Sequence, residues 1–149
     1  MKQTKIISGF PGVGKSTMFK YEANLLVSDS DSSNFSWIKP GVRHPNFPAN
    51  YIEHIKDNIG KLDFILVSSH DIVREALNKE GIEYTIVYPS KDIKDEYIQR
   101  YIDRGNNENF VNLLQENYET FIEGIEKETK PKLVSLSSGQ YLSDVLGEV

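Results

Sequence analysis

The stretch Gly9-Phe10-Pro11-Gly12-Val13-Gly14-Lys15-Ser16-Thr17 limits the possible folds more than any other part of the chain. It satisfies the pattern G-x-x-x-x-G-K-[ST] at every fixed position. Each fixed residue answers a physical need. Glycines let the backbone turn tightly and bring its N–H groups close to an anion. The lysine supplies a point charge for β- and γ-phosphates, and the hydroxyl after it can ligate magnesium. A helix starting there adds its positive end beneath the phosphates. Such a loop needs a buried strand before it and a helix after it. Lys5-Ile6-Ile7-Ser8 reads as the strand, and 16–26, free of Gly and Pro, reads as the helix. The expected nucleotide-binding residues are therefore Pro11, Gly12, Val13, Gly14, Lys15, Ser16 and Thr17.

The rest of the chain repeats this alternation. Further strands are expected at 24–28, 64–67, 84–88 and 132–136, the third of the five being almost wholly apolar, as a central parallel strand should be. Helices are expected between them. In 49–59, Tyr51, Ile52, Ile55 and Ile59 share a face, and Gly60 ends the helix. In the helix opened by Ser68-Ser69-His70, the buried face is Ile72, Val73, Ala76 and Leu77. Ser90 caps a helix running through Ile93, Tyr97 and Tyr101 to Gly105. Asn107 caps a longer one with a stripe of Phe110, Leu113, Leu114, Tyr118, Phe121, Ile122 and Ile125. A short helix at 141–146 closes the chain, and 39–48, with three prolines, is expected to be irregular. Five strands alternating with helices define an α/β fold with a mostly parallel sheet.

Composition narrows the partners. A length of 149 residues fits one domain. A net charge of −5 argues against sequence-independent nucleic-acid binding, while a local cluster of donors can still hold phosphates. Cysteine is absent, which excludes disulfides and Cys-rich zinc sites. No apolar run approaches the ~20 residues of a membrane span, and Met1 to Lys5 lacks a signal-peptide core. A cytoplasmic protein acting on small molecules is expected, without nucleic-acid or membrane partners.

Ligands of such sheets bind beyond the carboxyl ends of the strands, so the residues there carry the chemistry. The second strand ends in Asp29-x-Asp31. Asp29 suits a magnesium shell or a catalytic base, and Asp31 an acceptor contact; a turn or capping cluster is the other reading. Phe35 and Trp37 either stack a planar base or plug the core, and Arg43 can grip a monophosphate bidentately. The third strand ends in Ser68, where many phosphate-loop proteins place the Walker B Asp. Asp63 lies at the wrong end of that strand, which shifts the magnesium role toward Ser16 and Asp29. His70 either meets substrate or caps its helix, and Arg74 is placed to reach an acceptor phosphate. Arg100 and Arg104, four apart, project from one helix face. They either clamp the transferring phosphoryl group, with Gly105 as hinge, or, at Arg100, pair locally with Glu96. The loop 135–140 is expected to pack against the donor base.

With these residues in place, the chain resembles small phosphate-loop kinases of the nucleoside monophosphate kinase and shikimate kinase kind, and looks like the short nucleotide-kinase-like proteins of phage genomes. The resemblance is carried by Gly9 to Thr17, Ser28 to Trp37, Val67 to Leu77 and the helix holding Arg100 and Arg104. It implies a three-layer P-loop NTPase fold with a five-stranded parallel sheet, order 2-3-1-4-5, flanked by helices. It implies a single domain over 1–149, with an acceptor-binding insert at about 29–60 and a short lid at about 90–106. The Asp-x-Asp looks like the shikimate-kinase arrangement, which implies Asp29 near the metal and Asp31 near acceptor hydroxyls. The expected activity is ATP- and magnesium-dependent phosphoryl transfer to a nucleoside or deoxynucleoside monophosphate. Lys15, Asp29, Arg100 and Arg104 would be catalytic, Ser16 and Asp29 would hold the metal, and Asp31, Phe35, Trp37, Arg43 and Arg74 would bind the acceptor. A kinase of a hydroxylated non-nucleotide metabolite, and a nucleotide-binding regulatory module without transfer, are the alternatives.

Overall fold

The computed structural model describes residues 3–15, 18, 26–29, 37–39, 42–43 and 47–149, with backbone alone at 29, 37–39 and 42–43. Along the chain the described strands are β1 (Lys5–Gly9), β2 (Val27–Asp29), β3 (Trp37–Lys39), β4 (Val42–Arg43), β5 (Phe64–Ser68), β6 (Thr85–Pro89) and β7 (Lys132–Leu136). The described helices of regular length are α1 (Ala49–Asn58), α2 (Asp71–Lys79), α3 (Lys94–Asp103) and α4 (Glu108–Glu126), with 3-10 turns at Lys91–Ile93 and Leu142–Glu148. Five strands form one all-parallel sheet in the order β2-β5-β1-β6-β7. Counting only those five, this is the expected order 2-3-1-4-5. The fold is α/β, with helices flanking the sheet.

Strand composition follows position in the sheet. β1 lies in the middle, in register with β5 from Lys5↔Phe64 to Gly9↔Ser68 and with β6 from Ile7↔Thr85 to Gly9↔Val87. Ile7, Ile65, Leu66, Val67, Ile86 and Val87 are all fully buried. Near-continuous apolar runs are what a sheet covered on both faces requires. β7, at the edge, alternates buried and exposed residues instead. Asp63 belongs to the opposite rim of the sheet. Its carboxylate accepts the Leu26 N–H at 2.8 Å and its carbonyl accepts the Lys5 N–H at 3.0 Å, tying three strand starts together.

The helices pack by narrower stripes than hydrophobicity alone suggests. In α2, Val73 and Leu77 are fully buried, whereas Ile72 is 44% exposed, one position off the stripe. Ile59 caps α1 with extended backbone, leaves the helical face, and is exposed rather than buried. In α4 the stripe is Val111, Leu114, Tyr118, Ile122 and Ile125; Leu113 and Phe121 lie beside it and face solvent. Asn107 caps α4 as expected, its side chain accepting the Phe110 N–H at 2.8 Å. The segment expected to be irregular contains β4, which pairs antiparallel with β3, Trp37 opposite Arg43. The Pro-Gly dipeptide between them in the sequence is a turn signal that points to such a ribbon.

These packing differences set stabilities. Leu77→Ala should cost about 2–5 kcal/mol, the range for truncating a buried leucine. Ile72→Ala, five residues earlier on the same helix, should change stability by about 0.5 kcal/mol or less. Urea unfolding of the two variants checks the assignment of the buried face.

Candidate functional site

The carboxyl ends of the parallel strands share one edge of the sheet. Neighbours of β1 lead to β2 on one side and to β7 on the other, so the turn after β1 lies where the strand order reverses, the usual ligand position in α/β sheets. This turn is the glycine-rich loop.

Every carbonyl from Gly9 to Gly14 has a donor. The Lys15 ammonium donates to the Gly9 carbonyl at 2.8 Å. The Val13 N–H donates to Phe10 O at 3.2 Å, and the Met18 N–H to Gly14 O at 2.9 Å, where a helix begins. The other three donors come from far along the chain. The Tyr101 hydroxyl donates to Pro11 O at 2.7 Å, Arg100 Nη1 to Gly12 O at 2.9 Å, and the Leu142 N–H to Val13 O at 2.7 Å. A trans peptide points the C=O of one residue and the N–H of the next in opposite directions. Holding the carbonyls of Pro11 and Val13 therefore turns the N–H groups of Gly12 and Gly14 the other way. Among the described residues no acceptor takes either of them.

Glycine is required at both places. Gly12 has φ +92° and Gly14 has φ +101°, where a side chain is strained. A Cβ at Gly12 would lie 3.0 Å from Tyr101 Cε1, and one at Gly14 would lie 3.2 Å from Tyr141 Cδ1. Phe10 anchors the loop below, buried edge-on against Tyr118 of α4 with ring centroids 5.9 Å apart.

Arg100 is the centre of the brace. Its guanidinium lies between the rings of Tyr97 and Tyr141, at 4.3 and 4.1 Å from their centroids, a favourable cation–π geometry. Its Nη2 donates to Glu96 Oε2 at 3.0 Å and to Gln140 O at 3.3 Å. Glu96 also accepts from the Ser138 hydroxyl and from the Gly139 N–H. The Ser138 and Gly139 donors, with Arg100 adding to them, hold the Glu96 carboxyl below the usual carboxylate range. Burial pushes the Tyr101 hydroxyl far above the usual tyrosine range, so it stays a neutral donor to the loop.

Some expected site residues are placed by these contacts and others are not. Of the two readings of the Arg100 spacing, the local pair with Glu96 is the one displayed, and Arg100 braces the loop instead of projecting over it beside Arg104. Arg104 caps α3, is exposed, and makes no ion pair among the described residues. Arg74, expected to reach an acceptor phosphate, is engaged elsewhere: it donates to Ser69 O at 3.0 Å and pairs with Glu128 at 2.8 Å, stitching α2 to the end of α4. His70 occupies the N-cap position of α2 without a side-chain cap bond. Asp29 ends β2 in register with Leu66, and Trp37 and Arg43 are cross-strand partners in the β3–β4 ribbon. Ser16, Thr17, Asp31 and Phe35 lie outside the described residues.

Sequence reading passed over Tyr97, Tyr101 and Tyr141. A signal was present: Glu96/Arg100 and Tyr97/Tyr101 are two i,i+4 pairs on adjacent lines of one helix. Two amides without an acceptor among the described residues and one ammonium belong to this turn, a donor set that suits an anion. A further polar group at this edge is the Ser68 hydroxyl that ends β5, buried and without a hydrogen-bond partner among the described residues. A cleft of about 520 Å³ between α1 and α2 includes Lys56, Lys79 and Glu80. Lys79 and Glu80 close α2, at its far end from the loop, so this cleft is separate from the strand-end chemistry.

The fold and the loop together define an α/β protein with a glycine-rich turn at the carboxyl end of its central parallel strand. No family profile matches the chain, and no curated protein matches it by sequence. In structure it is similar to the tunicamycin resistance protein of Deinococcus radiodurans, with a TM-score of 0.63 over 97% of this chain and 91% of that one, at 14% identity. The likeness is one of fold. Among the described residues no helix is long and apolar enough to cross a membrane.

The lowered Glu96 pKa makes a pH prediction. A carboxyl with a depressed folded-state pKa adds stability that is present above its unfolded value, about 4.3, and is lost as pH falls through the folded value. Glu96→Gln should therefore be less stable than wild type at pH 7, with the gap closing toward pH 3. Urea unfolding across that range checks it, and a gap independent of pH would contradict the assignment.

Proposed function

We propose that this protein transfers a phosphoryl group from ATP, with magnesium, to a small acceptor, and we favour a nucleoside or deoxynucleoside monophosphate as that acceptor. One observation supports the donor half most: the loop carbonyls are tied outward, and among the described residues no acceptor takes the Gly12 and Gly14 N–H groups. Protein catalysis of phosphoryl transfer is mostly positioning and charge stabilisation, and a braced set of amides supplies both.

The roles follow from chemistry. Residues 11–17 would hold the donor phosphates, with Lys15 leaving the Gly9 carbonyl for the β- and γ-oxygens. Ser16 and Asp29 would hold magnesium, which when bound neutralises phosphate charge. Arg104, exposed beside Gly105 at the end of α3, is the cation we assign to the transferring group, while Arg100 keeps the loop in shape. The segment 90–106 would act as the lid. Asp31, Phe35, Trp37 and Arg43, in the segment 29–60, would receive the acceptor, with Arg43 on its phosphate. With Arg74 paired to Glu128, Arg43 carries the phosphate contact on that side.

A kinase of a hydroxyl-rich metabolite is favoured by the Asp29-x-Asp31 pair. A regulatory module that binds nucleotide without transfer is favoured by the neutral Ser68 at the end of β5. An ADP-release assay separates the three, using nucleoside monophosphates, polyols and tunicamycin, the compound named for the structural neighbour. Lys15→Ala should abolish ADP release with the melting temperature nearly unchanged. Arg104→Ala should lower turnover by about 10³-fold or more, as for arginines that stabilise the transferring phosphoryl group. Near-normal turnover in the Arg104 variant removes it from the mechanism, and nucleotide binding without release over the whole panel favours the module.

A further inference from the structure

At the amino ends of β1, β6 and β7, on the rim opposite the loop, lies a second cleft of about 360 Å³. Three of its lining residues are lysines, Lys5, Lys130 and Lys132, in a chain whose net charge is −5. All three are exposed. Lys130 and Lys132 make no ion pair among the described residues, and Lys5 donates to the Val149 carbonyl at 2.7 Å. Glu83 also lines the cleft, but it pairs with none of them.

Sheet register sets the lysines around a hydroxyl. Side-by-side residues of parallel strands project to one face, as do residues two apart on a strand. Ile7 is the register partner of Thr85, and Thr85 of Lys132. Lys5, two before Ile7, therefore shares a face with Thr85 and Lys132. Across that face Lys5 and Lys132 start about 10 Å apart laterally and about 7 Å apart along the strands, which suits an extended polyanion better than a single ion. Thr85 stands between them. It lines the cleft, is only 8% exposed, and its hydroxyl meets no hydrogen-bond partner among the described residues. A nearly buried hydroxyl without a partner calls for one.

We propose that this cleft binds a short, metal-free polyphosphate chain, inorganic or carried by a nucleotide, with Lys5, Lys130 and Lys132 neutralising its charge and Thr85 Oγ1 donating to a phosphate oxygen. An anionic oxygen is a stronger acceptor for the Lys5 ammonium than the neutral Val149 carbonyl it now meets. The length of β1, about 13 Å, separates the cleft from the glycine-rich loop, so the site is independent of the function proposed for that loop.

The test is titration with sodium tripolyphosphate in EDTA, followed in ¹H–¹⁵N spectra of wild type, Lys15→Ala, Thr85→Val and the double variant Lys130→Gln/Lys132→Gln. The amides of Lys5, Thr85 and Lys132 should move in wild type, and with an affinity within about twofold in Lys15→Ala, where the loop is disabled. That affinity should fall tenfold or more in the double variant and about five- to tenfold in Thr85→Val, the size of one hydrogen bond. The double variant replaces exposed side chains and should melt with wild type. In Lys15→Ala, displacement of tripolyphosphate by ATP marks a nucleotide ligand, and binding without displacement marks the inorganic chain. Motionless Lys5, Thr85 and Lys132 amides in wild type overturn the proposal, whatever the variants do. So does loss of their shifts in Lys15→Ala, which would assign them to the loop. An unchanged affinity in Thr85→Val overturns it in favour of general attraction to surface lysines. Cleft amides that move while those of Gly12 and Gly14 stay still leave this site standing and count against the loop reading alone.

Discussion

A loop can offer amides to an anion only if its carbonyls are satisfied somewhere else. Here that constraint ties the two ends of the chain together. Three successive carbonyls, at Pro11, Gly12 and Val13, are claimed by Tyr101, Arg100 and the Leu142 N–H. The last third of the chain thus shapes a turn formed at its beginning. α3 places Tyr101 and Arg100, the 3-10 turn after Tyr141 places the Leu142 N–H, and Tyr141 with Tyr97 encloses the guanidinium. The glycines at 12 and 14 are the counterpart of this enclosure, since aromatic rings occupy the space their side chains would need.

The fold was largely legible in the sequence because its central strands are buried on both faces. That burial demands apolar runs such as Phe64 to Val67 and Tyr84 to Tyr88, and turn residues mark their ends. Helix faces were read too generously. Ile72, Leu113 and Phe121 are apolar, but a helix meets a sheet along a narrower band than its apolar residues cover. The β3–β4 ribbon was obscured by the prolines around it.

The site was legible only in part. Its glycines and lysine carry a fixed spacing, whereas the brace does not. A backbone carbonyl is the same acceptor at every residue, so nothing in Pro11 or Gly12 announces a partner about ninety positions away. Arg100 shows the limit well. Its spacing from Arg104 and from Glu96 suits a clamp or a local pair equally, and only packing between two tyrosines distinguishes them. Ser68 was visible as a departure from the usual strand-end carboxylate, but its lack of a partner is a property of the folded chain.

The most direct test of the central claim observes the loop amides themselves. In ¹H–¹⁵N spectra recorded during titration with magnesium ATP, the resonances of Gly12, Gly14 and Lys15 should show the largest shifts in the protein, with those of Gly81 and Gly124, remote from the loop, nearly still. If ATP binds while the Gly12 and Gly14 amides stay in place, the phosphates sit elsewhere and the braced loop is not their cradle.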